Sequence, residues 1–162
     1  MTESIIRQAL RDSVNEVLEK MFFVQTLGEA SCSESAGPAA SDEIVVRLAF
    51  QGKPPGSLTL RLTAAAGRPI AAAFLGTDEE EVSDVQIAEV VCELANMICG
   101  SVLSRVESAT TFHLLAPQLV PPSEGPAGGP CTTRYAVELS NGKLTVNVTT
   151  RTPCPQPVQF AC

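Results

Sequence analysis

The chain has 162 residues, 44% of them hydrophobic, and a formal net charge of −7. This length and apolar content predict one compact domain with a hydrophobic core rather than two domains. The acidic charge and the lack of a Lys/Arg cluster argue against a nucleic-acid partner or an anionic membrane surface, because both attract concentrated positive charge.

The first predicted element is an amphipathic helix over residues 4–22. Charged residues separate its apolar positions, so the segment has neither the uninterrupted apolar run of a signal peptide nor the length of a membrane span. We therefore expect a cytoplasmic protein in which this helix lies on the surface with one buried side. The apolar positions recur at helical intervals, at Ile6, Leu10, Val14, Val17, Leu18 and Met21.

Two strands are predicted next, over residues 43–50 and 56–63, after a loop of small residues at 33–41. The intervening QGKPPG contains the turn-forming residues of an antiparallel pair. Residues 64–76 then predict a short helix that is interrupted at Gly67 and Pro69 and ends at Gly76.

A long helix from about Asp84 to Arg105 follows. Two pairs of residues match the capping-box spacing at which a helix begins, Thr77 with Glu80 and Ser83 with Gln86. The spacing leaves both starts open.

The last third of the chain predicts more strands. We expect a strand over 111–120, a flexible connection over 121–130 and a β-hairpin over 134–151 that turns at Asn141-Gly142, since Asn-Gly between alternating strands is a strong hairpin signal. Together the elements predict a mostly antiparallel β-sheet with helices packed on one side, an α+β fold.

We assign residues 1–151 to a single domain and residues 152–162 to a C-terminal tail that contains Pro and Cys. The six cysteines include no CxxC pair and no His/Cys spacing typical of zinc sites. We expect free thiols that behave as small apolar residues, and no metal site. His113, the only histidine, lies in a predicted strand, where a structural role is more common than a catalytic one.

The long helix contains ELANMICG, residues 93–100. At about 100° per residue, one sector of the helix holds Ile87, Val91, Leu94, Ile98 and Val102, and the opposite sector holds Glu89, Glu93, Asn96 and Gly100. We predict that the second set, here called the polar stripe, faces away from the core. A glycine within a helix costs about 1 kcal/mol relative to alanine, so Gly100 suggests that another backbone approaches there. On spacing alone, a solvated helix surface is the simpler interpretation.

The segment AEVVCELANMICGSVLSRV, after a helix ending in AAFLG and a TDEEEV turn, resembles the active helix of the CheC/CheX/FliY family of chemotaxis phosphatases, and CheX most closely. SVNEVLEKMFF and the order of elements extend the resemblance over residues 4–151. It implies a fold whose ExxN surface docks on a phosphorylated CheY-like receiver domain and removes phosphate from its aspartate.

By position, the resemblance implies that Asn96 orients the attacking water and that Glu93 docks the partner. Glu89, Gly100 and Leu103 would belong to the partner-binding surface. The protein would need no cofactor of its own, because the Mg²⁺ ion would belong to the partner receiver domain. The resemblance also allows a homodimer that pairs through an exposed sheet edge.

Two departures from the family pattern matter for function. Glu89 stands where the family tends to have Asp or Ser, and its repulsion from Glu93 could weaken docking. The first helix has Glu16 and Glu19 but no asparagine after them, so a second site is not expected there. The alternative to a phosphatase is a non-catalytic module that recognises a receiver domain or a flagellar-switch-like complex through the same helix.

Overall fold

The computed structural model describes residues 2–31, 42–106, 111–123 and 131–151. In these ranges helices pack on one side of a six-stranded antiparallel sheet, which confirms the predicted α+β class. In chain order the elements are α1 (Glu3–Glu16), a π-helical turn (Val17–Met21), β1 (Glu43–Gln51), β2 (Gly56–Thr63), α2 (Ala64–Leu75), a 3₁₀ turn (Glu79–Glu81), α3 (Asp84–Val106), β3 (His113–Leu114), β4 (Gln118–Val120), β5 (Thr132–Leu139) and β6 (Gly142–Thr150).

The strand order is β3-β1-β2-β6-β5, and β4 pairs with β1 beside β3. Because side chains alternate along a strand, every second residue points under the helices; Leu48, Leu60 and Val146 are fully buried examples. These strand residues and the inward residues of all three α-helices form one hydrophobic core. The core therefore holds the helices against a single side of the sheet.

The prediction of one strand over 111–120 is wrong. Leu114 pairs with Phe50 and Val120 pairs with Val45, so β3 and β4 lie along the same edge of β1, with the register shifted by one residue between them. Pro117 lies in the interruption, and proline lacks the N–H group that a continuous ladder requires.

The hairpin forms as predicted, but its loop lies one residue earlier. Leu139 pairs with Gly142, so the loop is Ser140-Asn141 and Gly142 begins β6. Gly142 has a φ of 147°, which favours glycine. A Cβ there would also lie 3.3 Å from Cβ of Ala66 in α2, so the glycine allows the hairpin to approach the helix.

The first helix departs from its predicted buried pattern at its end. α1 passes into a π-helical turn in which the N–H of Phe22 donates to the carbonyl of Val17 at 3.2 Å. This wider winding changes the direction of the following side chains. Met21, predicted to be buried, is 52% exposed, and Phe22 takes the buried position instead. The other five predicted positions are buried.

The helix α2 runs through Gly67 and Pro69 without the predicted interruption. The hydroxyl of Thr63 accepts a hydrogen bond from the N–H of Ala66 at 3.2 Å and caps the helix. Pro69 removes only the one backbone hydrogen bond that its N–H would have donated. Gly76 ends the helix with a left-handed φ of 68°, as predicted.

Three predicted segments lie outside the described residues: the loop at 33–41, most of the connection at 121–130, and the tail at 152–162. The domain boundary after residue 151 therefore stays a prediction. So does the homodimer, although the end of β5 is not open for pairing with a second chain, because Ala30 and Leu27 donate hydrogen bonds to the carbonyls of Ala136 and Glu138.

Candidate functional site on α3

The start of α3 is set by a reciprocal capping box. The N–H of Gln86 donates to Oγ of Ser83 at 3.2 Å, and the N–H of Ser83 donates to Oε1 of Gln86 at 2.9 Å. Of the two starts that the sequence left open, the helix therefore uses Ser83. Arg68 of α2 donates to the carbonyl of Val82 at 2.6 Å and pairs with Asp84 at 3.3 Å. These contacts hold the first turn of α3 against α2.

The two sides of α3 differ as the helical spacing predicted. The predicted inward residues are all buried, and Ile87, Leu94 and Ile98 are fully so. Of the polar stripe, Glu89 and Glu93 are exposed, while Asn96 and Gly100 are partly exposed. By length and apolar content α3 is also the one described helix that could span a membrane, but half of its apolar stretch is buried inside the protein. The apolar content is that of a core helix.

Glu93 and Asn96 lie on consecutive turns of the exposed side. Within the part of the chain that the structure describes, neither side chain forms an ion pair or a hydrogen bond with another residue. The carboxylate and the carboxamide are thus available to an external partner.

Leu103 does not belong to this surface. Its side chain is only 5% exposed and lies in the hydrophobic core. α3 packs against β1, β2, β3 and β4 as well as against α1 and α2, so a wider arc of the helix is buried than the five predicted inward residues cover. The prediction that Leu103 binds a partner is therefore corrected.

Among the described residues, none packs where a side chain of Gly100 would lie. A Cβ built at this position would meet no atom within 4 Å. The hydroxyl of Ser104 donates to the Gly100 carbonyl at 2.8 Å, but this bond would remain with any residue at position 100. The described part of the fold therefore does not explain why a glycine stands here.

The first helix carries no comparable pair of free polar groups. Glu16 pairs with Arg105 of α3 and lies 3.5 Å from Lys20, so its carboxylate is already engaged. The hydroxyls of Ser13 and Ser101 are hydrogen-bonded at 2.9 Å where α1 meets α3, and Ser13 is fully buried. This side of α1 thus supports α3.

The thiols of α3 are not suited to nucleophilic chemistry. Burial raises the pKa of Cys99 to about 12. Burial, and then the nearby Glu89 carboxylate, raise the pKa of Cys92. Since the thiolate is the reactive form, the raised pKa values keep both thiols protonated, and so less reactive, near neutral pH. Among the described residues no three His, Cys, Asp or Glu side chains cluster as a metal site.

Solved chemotaxis proteins share this fold. CheX from Desulfovibrio desulfuricans has a TM-score of 0.68 and 18% identity over 90% of this chain and 99% of that chain. CheX from Vibrio vulnificus has a TM-score of 0.72 and 15% identity over 93% and 99%. CheX from Borrelia burgdorferi, solved as a complex with CheY, BeF3 and Mg²⁺, has a TM-score of 0.70 and 16% identity over 90% and 97%. The protein thus has the α+β fold of the solved CheX proteins.

The sequence itself supports a narrower assignment. The family model of chemotaxis phosphatase CheX matches residues 44–129, more than half of the chain, including α3 and its polar stripe. The chain belongs to the CheX family of chemotaxis phosphatases. No curated protein matches it.

Proposed function

We propose that this protein hydrolyses the aspartyl phosphate of a CheY-like receiver domain, and that Asn96 and Glu93 act in the reaction. The observation that carries the proposal is the unengaged pair on the exposed side of α3, in a chain that belongs to a phosphatase family. The B. burgdorferi relative was solved with CheY, which supports a receiver domain as the partner.

Asn96 suits the chemical step. An aspartyl phosphate is a mixed anhydride with a good leaving group, so its hydrolysis requires chiefly a water held in line with the breaking bond. A carboxamide can accept a hydrogen bond from that water and donate another to a phosphoryl oxygen without changing its protonation state. Because Asn96 is partly exposed, its amide can reach into the site of a docked receiver.

Glu93 suits the docking step. It lies one turn before Asn96 and is exposed, and it has no cation to pair with among the described residues. A charge-assisted bond to a cationic side chain of the receiver would fix the angle at which Asn96 enters. The Mg²⁺ that balances the phosphoryl charge would be bound by the receiver, as the presence of Mg²⁺ in the B. burgdorferi CheX–CheY complex supports.

The test is phosphate loss from a panel of phosphorylated receiver domains in the presence of Mg²⁺. We expect the native protein to accelerate the loss from at least one receiver. Asn96→Ala should lower kcat by roughly 100-fold, because a positioned hydrogen-bonding group is lost from the transition state. Glu93→Gln should chiefly raise KM, by about 10-fold, because a docking ion pair is lost.

Asn141→Ala is the matched control, since it removes an exposed asparagine from the β5–β6 loop and should leave both constants unchanged. A receiver that binds but keeps the same phosphate lifetime with the native protein and with Asn96→Ala would contradict the enzyme assignment. The polar stripe would then be a recognition surface for the receiver.

A further inference from the structure

Phe23 has an unusual backbone conformation. Its φ is 55°, and no other residue besides glycine has a positive φ in the described ranges. A bulky side chain is disfavoured in this left-handed region, because its Cβ approaches the following carbonyl oxygen.

The end of the first helix explains the backbone turn but not the side chain. The N–H of Val24 donates to the carbonyl of Leu18 at 2.8 Å, across the left-handed residue. Helices often end with a left-handed residue, which is usually glycine and sometimes asparagine. Glycine at position 23 would adopt the same left-handed backbone with less steric strain.

The side chain of Phe23 packs little against the described part of the protein. It is 78% exposed, and Met21, two residues before it, is 52% exposed. Between them Phe22 is fully buried and stacks on Phe74 of α2, with ring centroids 4.9 Å apart. A strained backbone position thus carries an aromatic ring that is mostly exposed to solvent.

This exposed pair, Met21 and Phe23, follows the end of α1, which runs antiparallel to α3: Ser13 bonds to Ser101, and Arg105 near the end of α3 lines a cavity with Ile5 near the start of α1. The end of α1 therefore points toward the part of α3 before Ser101, which holds the polar stripe. The π-helical turn that ends at Met21 packs against α3, and Phe22 anchors the segment to α2. A partner docked on α3 would therefore meet this segment as well.

Glu93 and Asn96 are polar, so they orient a bound partner but bury little apolar area. Most of the binding energy of an interface comes from a few buried residues, and aromatic residues are common among them.

We propose that Met21 and Phe23 are an apolar anchor of the docking surface, and that they insert into an apolar groove of the receiver domain bound on α3. This inference rests on the proposed function for the identity of the partner. The residues determine affinity for the receiver and take no part in hydrolysis.

The test uses the full chain and a phosphorylated receiver that it dephosphorylates. Phe23→Ala and Phe23→Gly should each raise KM by ~10-fold, as expected for the loss of an aromatic anchor, while kcat at saturating receiver stays native. Phe23→Gly should also raise Tm, because glycine relieves the left-handed strain. Greater stability together with weaker docking would separate this role from a structural one.

Leu115→Ala is the matched control. Leu115 is 46% exposed and lies between β3 and β4, at the opposite edge of the sheet from β5, so its loss should change neither KM nor kcat. A native KM in both Phe23 variants would overturn the proposal. A change in sedimentation behaviour with unchanged KM would also overturn it, because the ring would then contact a second copy of the chain.

Direct binding separates this inference from the proposed function. If a receiver binds with an affinity that depends on Phe23 but loses its phosphate no faster, the anchor stands and the enzyme assignment fails. If phosphate loss depends on Asn96 and KM is independent of Phe23, the enzyme assignment stands and the anchor fails. If no receiver binds, both are overturned.

Discussion

Two helical glycines of this protein have opposite surroundings. A Cβ at Gly67 in α2 would lie 3.0 Å from Cγ2 of Ile87, whereas a Cβ at Gly100 in α3 would meet no atom within 4 Å. Each glycine costs its helix about 1 kcal/mol relative to alanine. For Gly67 the close approach of α2 to α3 offsets that cost; for Gly100 no contact with the described residues does.

The same division runs along α3. Its inward residues are explained by the core that they fill, whereas the side chains of Glu93 and Asn96 form no ion pair or hydrogen bond with another described residue. A residue type that the fold does not require points to a partner, because a contact with another molecule would then explain it. Gly100 and Phe23 are both of this kind, one smaller and one larger than the fold requires.

The largest effect should follow from removing an inward side chain. Leu94→Ala should lower the free energy of unfolding by roughly 2–5 kcal/mol, because Leu94 is fully buried and its loss leaves a cavity. Chemical denaturation measures this. Glu93→Ala, on the adjacent position but the opposite side, should change stability by less than about 0.5 kcal/mol. Similar losses for the two variants would contradict the division of α3.

Gly67→Ala should be next in size. The added methyl must displace Ile87, which is fully buried, and such overpacking typically costs about 1–3 kcal/mol. The better helix propensity of alanine offsets about 1 kcal/mol of that. A net decrease in the free energy of unfolding is expected in denaturant titrations, and a stabilised variant would show that α2 can move away from α3.

Gly100→Ala should have the opposite sign. With open space around the added methyl, the helix should gain about 0.5–1 kcal/mol. If a receiver approaches closely at this position, the same variant should show a higher KM in the phosphatase assay. Raised stability with native KM would remove Gly100 from the docking surface, and lowered stability would mean that the space is not open.

The smallest effect should come from Glu89→Gln. Removing the like charge four residues before Glu93 relieves a repulsion of about 0.2–0.5 kcal/mol, so the free energy of unfolding should rise by about that amount. Glu89 also contributes to the raised pKa of Cys92. The pKa of Cys92 should therefore fall in the variant, while burial, the larger cause, still holds it above its ordinary value. Thiol alkylation as a function of pH measures this, with Glu80→Gln, in the acidic turn, as the control.

Much of the fold could be read from local pattern. The strands β1 and β2, the helix α3 and the side of α3 that faces the core all follow from periodicity and from turn residues, which act over a few neighbouring positions. The positions of Glu93 and Asn96 on the exposed side follow in the same way. Their catalytic and docking roles rested on the family resemblance, and those roles stay proposals.

The errors arose where distant segments meet. Leu103 is buried although its position on the helix lies outside the predicted inward sector, and Met21 is exposed because π-helical winding places Phe22 in the core instead. The strand over 111–120 divides where its register along β1 shifts by one residue. None of these contacts is encoded in the spacing of the segment concerned.

The sequence by itself determined which residues share a side of each helix, because that depends only on 3.6 residues per turn. It also determined the class of fold, through the alternation of strands and the order of elements. Only the tertiary structure decided what covers each side. It separated Gly67 from Gly100, removed Leu103 from the exposed surface and brought the end of the first helix against α3, because close packing depends on which atoms meet in space.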